Sequence, residues 1–291
     1  MPRISQKYKK NGIVDALVVG SGPAGLTAAF YLARAGRKVL ILEKDAMGGK
    51  AAKIERIENY PGFSKGISGV SLMRRFSAQA RAWGVKHLKA EALAVISGEG
   101  EYRIRTAEEQ IPALSVILCT GARFLPWEDL GSDGPPVFNA AFGRAPQYSG
   151  QSVAVVGGGE TAVHQSLELS RHAKKVYLIH RGESLRSIDL LLRRLQKAGN
   201  VEVHPNTLLR PGKGKRLQLI KQSSQEKEIS VDAVFALVGQ MPDLSLLRGH
   251  RDPKGIFTAG DAKHGVPHQI VSAAGDGMRA AMECENYLCG R

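Results

Sequence analysis

One local pattern governs what this 291-residue chain can fold into, because it occurs twice. Each time an apolar strand runs into a glycine-rich turn, a helix of small and apolar residues follows, and a second apolar strand ends at a polar residue. The first copy reads ALVV (16–19), GSGPAG (20–25), LTAAFYLARAG (26–36) and KVLILE (38–43). The second reads VAVV (153–156), GGGETA (157–162), VHQSLELSRHA (163–173) and KKVYLIHR (174–181). A strand, turn, helix and strand in this order make the βαβ half of a nucleotide-binding domain. The pattern therefore predicts an α/β chain with two Rossmann-like domains of three ββα layers.

The turns carry the chemistry. Gly20, Gly22 and Gly25 form G-x-G-x-x-G, with Ser21, Pro23 and Ala24 between them. The first glycine permits a tight turn, the second lets the backbone approach a diphosphate, and the third lets helix and strand pack closely. The helix N-terminus then faces the phosphate charge. Glu43 ends the second strand about 20 residues on, where a carboxylate binds ribose hydroxyls and repels a 2′-phosphate. The second turn, Gly157, Gly158, Gly159, Glu160, Thr161 and Ala162, is G-x-G-x-x-A, but its second strand ends at His180 and Arg181, with Arg186 close behind. Guanidinium groups hold a 2′-phosphate by charge-assisted hydrogen bonds. The two turns thus select different nucleotides, FAD in the first and NADP in the second. The plainer reading of Arg181 and Arg186 is a solvated basic face.

The remaining chain fits this plan. Residues 91–121 read as short strands ending in a buried one, SVILCTG, and the stretch from Pro126 to Pro146 reads as a linker. Further strands follow Asn200, and the last fifty residues hold GIFTAGD and a closing helix around SAAGDGMRAAMECENYL. A composition of 43% apolar residues with 33 glycines suits two ordinary cores. Cys119, Cys284 and Cys289 are the three cysteines, with no C-x-x-C, so neither a disulfide framework nor a zinc site is indicated and a reducing, cytoplasmic compartment is expected. Asp15 and four glycines and prolines break the apolar stretch after Lys7, Lys9 and Lys10, so neither a signal peptide nor an integral membrane protein is expected. Residues 1–90 hold 17 Lys and Arg against 5 Asp and Glu, nearly the whole of the net charge of +14. That excess suits an acidic carrier protein, a polyanion or an anionic membrane surface, or is a merely soluble face; no specific nucleic acid is indicated. Motifs for a serine nucleophile elbow, a zinc protease or a Walker loop are absent, and the histidines His87, His164, His172, His204, His250 and His264 show no ligand spacing.

GSGPAG, Gly48-Gly49 followed by RIENYPGF (56–63), CTG (119–121), GGGETAV, HRGESLR and GIFTAGD, taken in order, resemble the thioredoxin reductase branch of the FAD-dependent pyridine nucleotide-disulfide oxidoreductases. The resemblance implies an FAD domain at 1–125 and 240–291, an NADPH domain at 126–239 inserted within it, and a homodimer. It places Gly49, Lys50 and Asn59 along the isoalloxazine, with Lys50 where the family usually has glutamine. Thr120 and Gly121 would cover the FAD, Asp261 would bind its ribitol and phosphate side, and His268, Gln269 and Ile270 would open the last helix towards it. Lys44, Ala92 and Gly260 complete the expected FAD set, and Gly239 the NADP set.

The family's C-x-x-C falls at Ala140 and Gly143, so no thiol stands there and no catalytic side chain is expected. Disulfide exchange needs a thiolate, and the standard relay is closed at this place. The segment from VGQMPD to GIFTAGD is also short, which implies a trimmed flavin domain. The expected function is an NADPH oxidoreductase passing electrons through FAD to a ferredoxin- or flavodoxin-type carrier, a quinone or oxygen. The alternative is a low-turnover flavin- or nucleotide-binding sensor or accessory module.

Overall fold

The computed structural model describes residues 12–127, 130, 133–221, 226–247, 249, 254–263 and 268–291. Lys7, Lys9, Lys10, His250 and His264 lie outside them. Two compact units are present: one takes in the chain up to Arg123 and again from Met241, the other is Phe124–Gln240. Among the described residues the α-helices are α1 (Pro23–Arg34), α2 (Gly69–Ala82), α3 (Glu160–Ser170), α4 (Asp189–Lys197) and α5 (Ile270–Cys289).

In the first unit the strands Lys86–Lys89, Val39–Glu43, Val14–Val19 and Gln110–Leu118 lie side by side in parallel. Ile256–Thr258 joins the C-terminal half of the last strand in parallel. Its N-terminal half instead pairs antiparallel with Tyr102–Arg105, which pairs with Ala94–Ser97. Alternation along the strands explains the three layers. Ala16, Val18, Val39 and Ile41 meet α1, α2 and α5, while Leu17, Val19, Leu40 and Leu42 meet Val95, Tyr102 and Ile104 from the antiparallel strands. Both faces are covered, which is why these strands read as unbroken apolar runs.

Small residues let α1 sit close to its neighbours. A Cβ on Gly277 of α5 would stand 2.9 Å from the Ala24 carbonyl carbon and closer still to its oxygen. The two helices touch through backbone there, and Arg37, just beyond α1, clamps Glu285 of α5 through Nε at 2.7 Å and Nη2 at 2.6 Å. Cys284 is buried against Ser115 Oγ at 3.0 Å, whereas Cys289 is exposed, and all three cysteines are free.

The second unit repeats the scheme. Its parallel sheet runs Val201–His204, Lys175–Ile179, Ser152–Val156, Ala233–Ala236, Val137–Phe138. Val153, Val155, Val176 and Leu178 face the side of α3 and α4; Ala154, Ile179 and Val234 face Leu209, Leu217, Leu219 and Ile229 of a three-stranded antiparallel sheet. The stretch read from sequence as a linker is partly core. Val137–Phe138 is a strand, and Ala141, Ala145 and Tyr148 are buried beside it. Its apolar residues are too widely spaced by Pro, Gly and Asn to display a period. No described helix is long and apolar enough to cross a membrane.

Candidate functional site

Each unit carries its glycine turn at the C-terminal ends of parallel strands, where a nucleotide binds in this architecture. In the first unit Gly20 has φ +101°, a conformation that favours glycine, and a Cβ on it would stand 2.9 Å from the Cys119 carbonyl carbon. A Cβ on Gly25 would stand 3.0 Å from the Gly20 carbonyl carbon. Gly22 is different: nothing lies within 4 Å of a Cβ built there, so the turn is packed beneath and open above. Gly22 also caps α1, with Pro23 in the first turn supplying a fixed φ where its missing N–H costs nothing. A cradle of this shape, ending on a free helix N-terminus, fits a dinucleotide diphosphate.

Glu43 fixes the turn as well as ending the strand. Its Oε2 accepts from Ser21 N at 2.8 Å and from Ser21 Oγ at 2.6 Å, and its Oε1 accepts from Asp45 N at 3.0 Å. Lys44 beside it pairs with Glu91 at 3.1 Å on the surface, one residue before the half-buried Ala92.

Two other predicted residues of this unit converge on Asp261. Lys50 Nζ lies 3.9 Å from Asp261 Oδ2, and His268 Nδ1 lies 3.3 Å from Oδ1. Burial lowers the pKa of Lys50, and the charge of Asp261 opposes that shift. Asn59 Nδ2 donates to Gln269 Oε1 at 2.8 Å, and Gln269 is the residue before Ile270, where α5 begins. A Cβ on Gly49 would lie 3.3 Å from Gly22 Cα, which sets the Lys50 segment against the glycine turn. Thr120 is spent differently: its hydroxyl donates to the Asp243 carbonyl at 2.6 Å, and Gly121 O accepts from Asp243 N at 2.9 Å.

Asp276 was not singled out by the sequence. It is buried in α5, and its Oδ2 accepts from Gly260 N at 3.0 Å, so it holds the turn that presents Asp261. Lys263 and Arg279 approach its other oxygen at 3.8 and 3.6 Å. An aspartate between two glycines inside a helix was the available signal, since such a residue is unfavourable there unless its carboxylate has work.

In the second unit, a Cβ on Gly157 would stand 2.5 Å from Leu237 O, so this turn too is packed beneath. His180 fills an unexpected place. A Cβ on Gly158 would stand 2.5 Å from His180 Cγ and closer still to Nδ1, and one on Gly182 would stand 2.7 Å from Nε2. The imidazole is wedged between two glycines, a supporting position under the turn. Arg186 N donates to Gly158 O at 2.7 Å, and Gly159 and Arg186 form a β-bridge. Arg181 and Arg186 are exposed, and among the described residues neither meets a carboxylate. Glu160 opens α3, Thr161 is exposed and Ala162 is buried. Gly239 O accepts from Leu125 N at 3.0 Å.

Neither Ala140 nor Gly143 carries a thiol, and the Phe124–Gln240 unit has no cysteine. Ala140 is half-buried, and Gly143 is exposed with φ +69° and nothing within 4 Å of a Cβ. Ala141 N donates to the buried Gln165 Oε1 at 2.5 Å, and Arg144 lies over the Phe138 ring at 4.4 Å. Burial pushes the Cys119 thiol far above its ordinary value and that of Cys284 up to about 11, so neither is a ready nucleophile.

Comparison with known proteins gives one consistent outcome. Residues 14–285 match the family described as pyridine nucleotide-disulphide oxidoreductase. Thioredoxin reductase of Treponema pallidum is 32% identical over 297 residues, covering 94% of this chain and 97% of that protein. NADPH-dependent thioredoxin reductase 3 of Arabidopsis thaliana is 31% identical over 309 residues, and the match spans 95% of this chain but 58% of that longer protein. Among solved structures, Lactococcus lactis thioredoxin reductase superimposes with a TM-score of 0.89 at 27% identity, covering 96% of this chain and all of that one. The bacillithiol disulfide reductase of Staphylococcus aureus shares the fold, with a TM-score of 0.80 at 20% identity.

Proposed function

The chain belongs to the pyridine nucleotide-disulphide oxidoreductase family, and from that premise we propose that it is a thioredoxin reductase-like NADPH oxidoreductase whose electron acceptor is not a disulfide. The family branch uses FAD and NADPH. The observation that carries the proposal is the pairing of two intact glycine cradles with a sequence that has no C-x-x-C, the resemblance putting the family's redox cysteines at Ala140 and Gly143.

FAD, when bound, accepts two electrons from NADPH and releases them to a second substrate. The protein's own groups position and polarise. Gly20, Gly22, Gly25 and the N-terminus of α1 would hold the FAD diphosphate, with Ser21, Pro23 and Ala24 completing the turn. Glu43 Oε1 would keep a second lone pair for a ribose hydroxyl while Oε2 braces Ser21. Lys44, Gly49, Ala92, Thr120, Gly121 and Gly260 would line the cofactor, and Asp261, steadied by Asp276, would accept from its ribityl hydroxyls. Lys50, Asn59, His268, Gln269 and Ile270 would close that end.

In the Phe124–Gln240 unit, the turn from Gly157 to Ala162 and Gly239 would hold NADPH, with Arg181 and Arg186 reading its 2′-phosphate. His180 supports the turn. The acceptor we favour is an acidic ferredoxin- or flavodoxin-type carrier, because the basic excess of residues 1–90 steers an acidic protein. A homodimer in the cytoplasm completes the proposal.

Anaerobic titration of the flavin-loaded protein with NADPH is expected to bleach the flavin spectrum at one equivalent. An unbleached flavin would overturn the enzyme reading and leave a nucleotide-binding module. Turnover with ferredoxin, flavodoxin, quinone, oxygen and a protein disulfide, compared side by side, is expected to be fastest with an acidic carrier and to fall with added salt. Fastest turnover with the disulfide would overturn the acceptor.

A further inference from the structure

The first unit contains a charge arrangement that holding the dinucleotide does not require. Asp261 stands at the mouth of the glycine cradle with a basic group on each oxygen, Lys50 at 3.9 Å and His268 at 3.3 Å. Lys50 is not a surface lysine that happens to reach a carboxylate. Its side chain is 35% exposed, and the preceding glycine lies against Gly22, the open glycine of the turn. A chain that needed only a hydrogen bond here would be served by an amide, as Asn59 and Gln269 serve a few residues away. Moving an ammonium out of water is unfavourable, and desolvation works against the charge of Lys50 even with Asp261 beside it. A cation retained under that penalty has an electrostatic task.

We propose that Lys50, anchored by Asp261, is the residue that supplies positive charge to the bound flavin, favouring its electron-rich forms over the oxidised form. The inference rests on the assignment of FAD to this unit. A fixed positive charge beside a redox ring stabilises the added negative charge of the reduced state, to an extent that solvent limits because Lys50 is 35% exposed. Lys50 is a positioning residue for charge and takes no proton from substrate.

Sulfite reports the same property without turnover. Its sulfur lone pair forms a bond to flavin N5, no external oxidant or reductant is consumed, and the resulting negative charge resides on the ring. The experiment compares the flavin-loaded wild type with Lys50→Gln and Lys50→Arg by sulfite titration and by the midpoint potential against reference dyes. The expected result is at least a tenfold rise in sulfite Kd for Lys50→Gln, with a tenfold change in the two-electron equilibrium corresponding to about 30 mV more negative potential. Lys50→Arg is expected to stay within threefold of wild type. If Lys50→Gln loses flavin while Lys50→Arg keeps it, the requirement for charge stands. Unchanged sulfite affinity and potential in a flavin-retaining Lys50→Gln would overturn the role of Lys50 alone. A wild-type protein that binds no FAD on reconstitution would overturn both this inference and the assignment beneath it.

Discussion

Removing the two guanidinium groups of the second cradle is the sharpest test of which nucleotide that cradle takes. Arg186 enters the site from a fixed origin, because its backbone N–H is held by Gly158 O at 2.7 Å and its neighbour in the bridge is Gly159. Arg181 follows His180, whose ring is locked between Gly158 and Gly182. Neither arginine meets a carboxylate among the described residues, so a 2′-phosphate would break no ion pair among them. A hydrogen bond to a charged group contributes about 1.5–3 kcal/mol. Both side chains are exposed, which selects the lower end, about 1.5 kcal/mol each, or roughly tenfold in Kd. Because both arginines would share the one 2′-phosphate their effects couple, so Arg181→Ala with Arg186→Ala should lose more than about tenfold but less than about a hundredfold. NADH lacks the phosphate, and its Kd should move by no more than about twofold on the same argument. Isothermal titration of each variant with both nucleotides, at low and high salt, measures the discrimination. The NADPH loss should shrink as salt screens the exposed charges. Equal losses for NADPH and NADH, or a loss insensitive to salt, would refute the assignment.

Three further outcomes follow from the packing and charges. Gly158→Ala drives a methyl group into the rigid His180 ring and should lower stability by about 1–3 kcal/mol, while flavin content is unchanged; thermal unfolding with flavin release as a second probe checks both. Gly277→Ala meets backbone of α1 that cannot rotate away, so a denaturant titration should place it near the upper end of the same range, about 3 kcal/mol, with flavin retention impaired. Glu202 is held at about 2 by the hydrogen bond from Lys227, with Lys175 also beside it. Its folded pKa is depressed from 4.5, so its stabilising contribution is complete above about pH 5 and disappears as pH falls towards 2. Glu202→Gln should therefore be less stable than wild type by about 1 kcal/mol at pH 7, after discounting for its partial exposure, and equal to it near pH 2. A gap that persists at pH 2 would remove the carboxylate as its cause.

Both Rossmann-like cores were legible because their signal is local. A strand buried on two faces must be apolar throughout, a tight turn must be glycine, and a helix packed through its backbone must be small. The burial of Cys119 in the strand SVILCTG was legible for the same reason. What the sequence concealed depends on contacts between distant residues. Glu43 reads as a ribose ligand from its strand-end position, but its bond to Ser21 comes from the two strand ends lying side by side in the parallel sheet. His180 reads as part of a basic phosphate site, yet only the curl of the 180–186 loop back onto Gly158 turns its ring under the turn. Val137–Phe138 is a two-residue strand, too short to carry a period, and it exists because Ala233–Ala236 offers an edge. Asp276 was hidden by helical periodicity, which marks faces but not the loop across from them.

The first unit is closed by chain segments made far apart in time. Its sheet needs Ile256–Thr258, and its helical layer needs α5 against α1. During synthesis the residues from 124 to 240 must emerge between the two parts, which at 5–20 residues per second takes on the order of ten seconds. Throughout that interval Ala24 and the apolar face of α1 have no α5 to cover them, and at its end the second unit has all of its strands while the first still lacks Ile256–Thr258 and α5. The nascent flavin-side half is thus an obligate waiting intermediate with exposed apolar surface. A ribosome stalled so that residue 240 has just cleared the exit tunnel, with α5 not yet emerged, should present a protease-resistant second unit and a protease-sensitive first one.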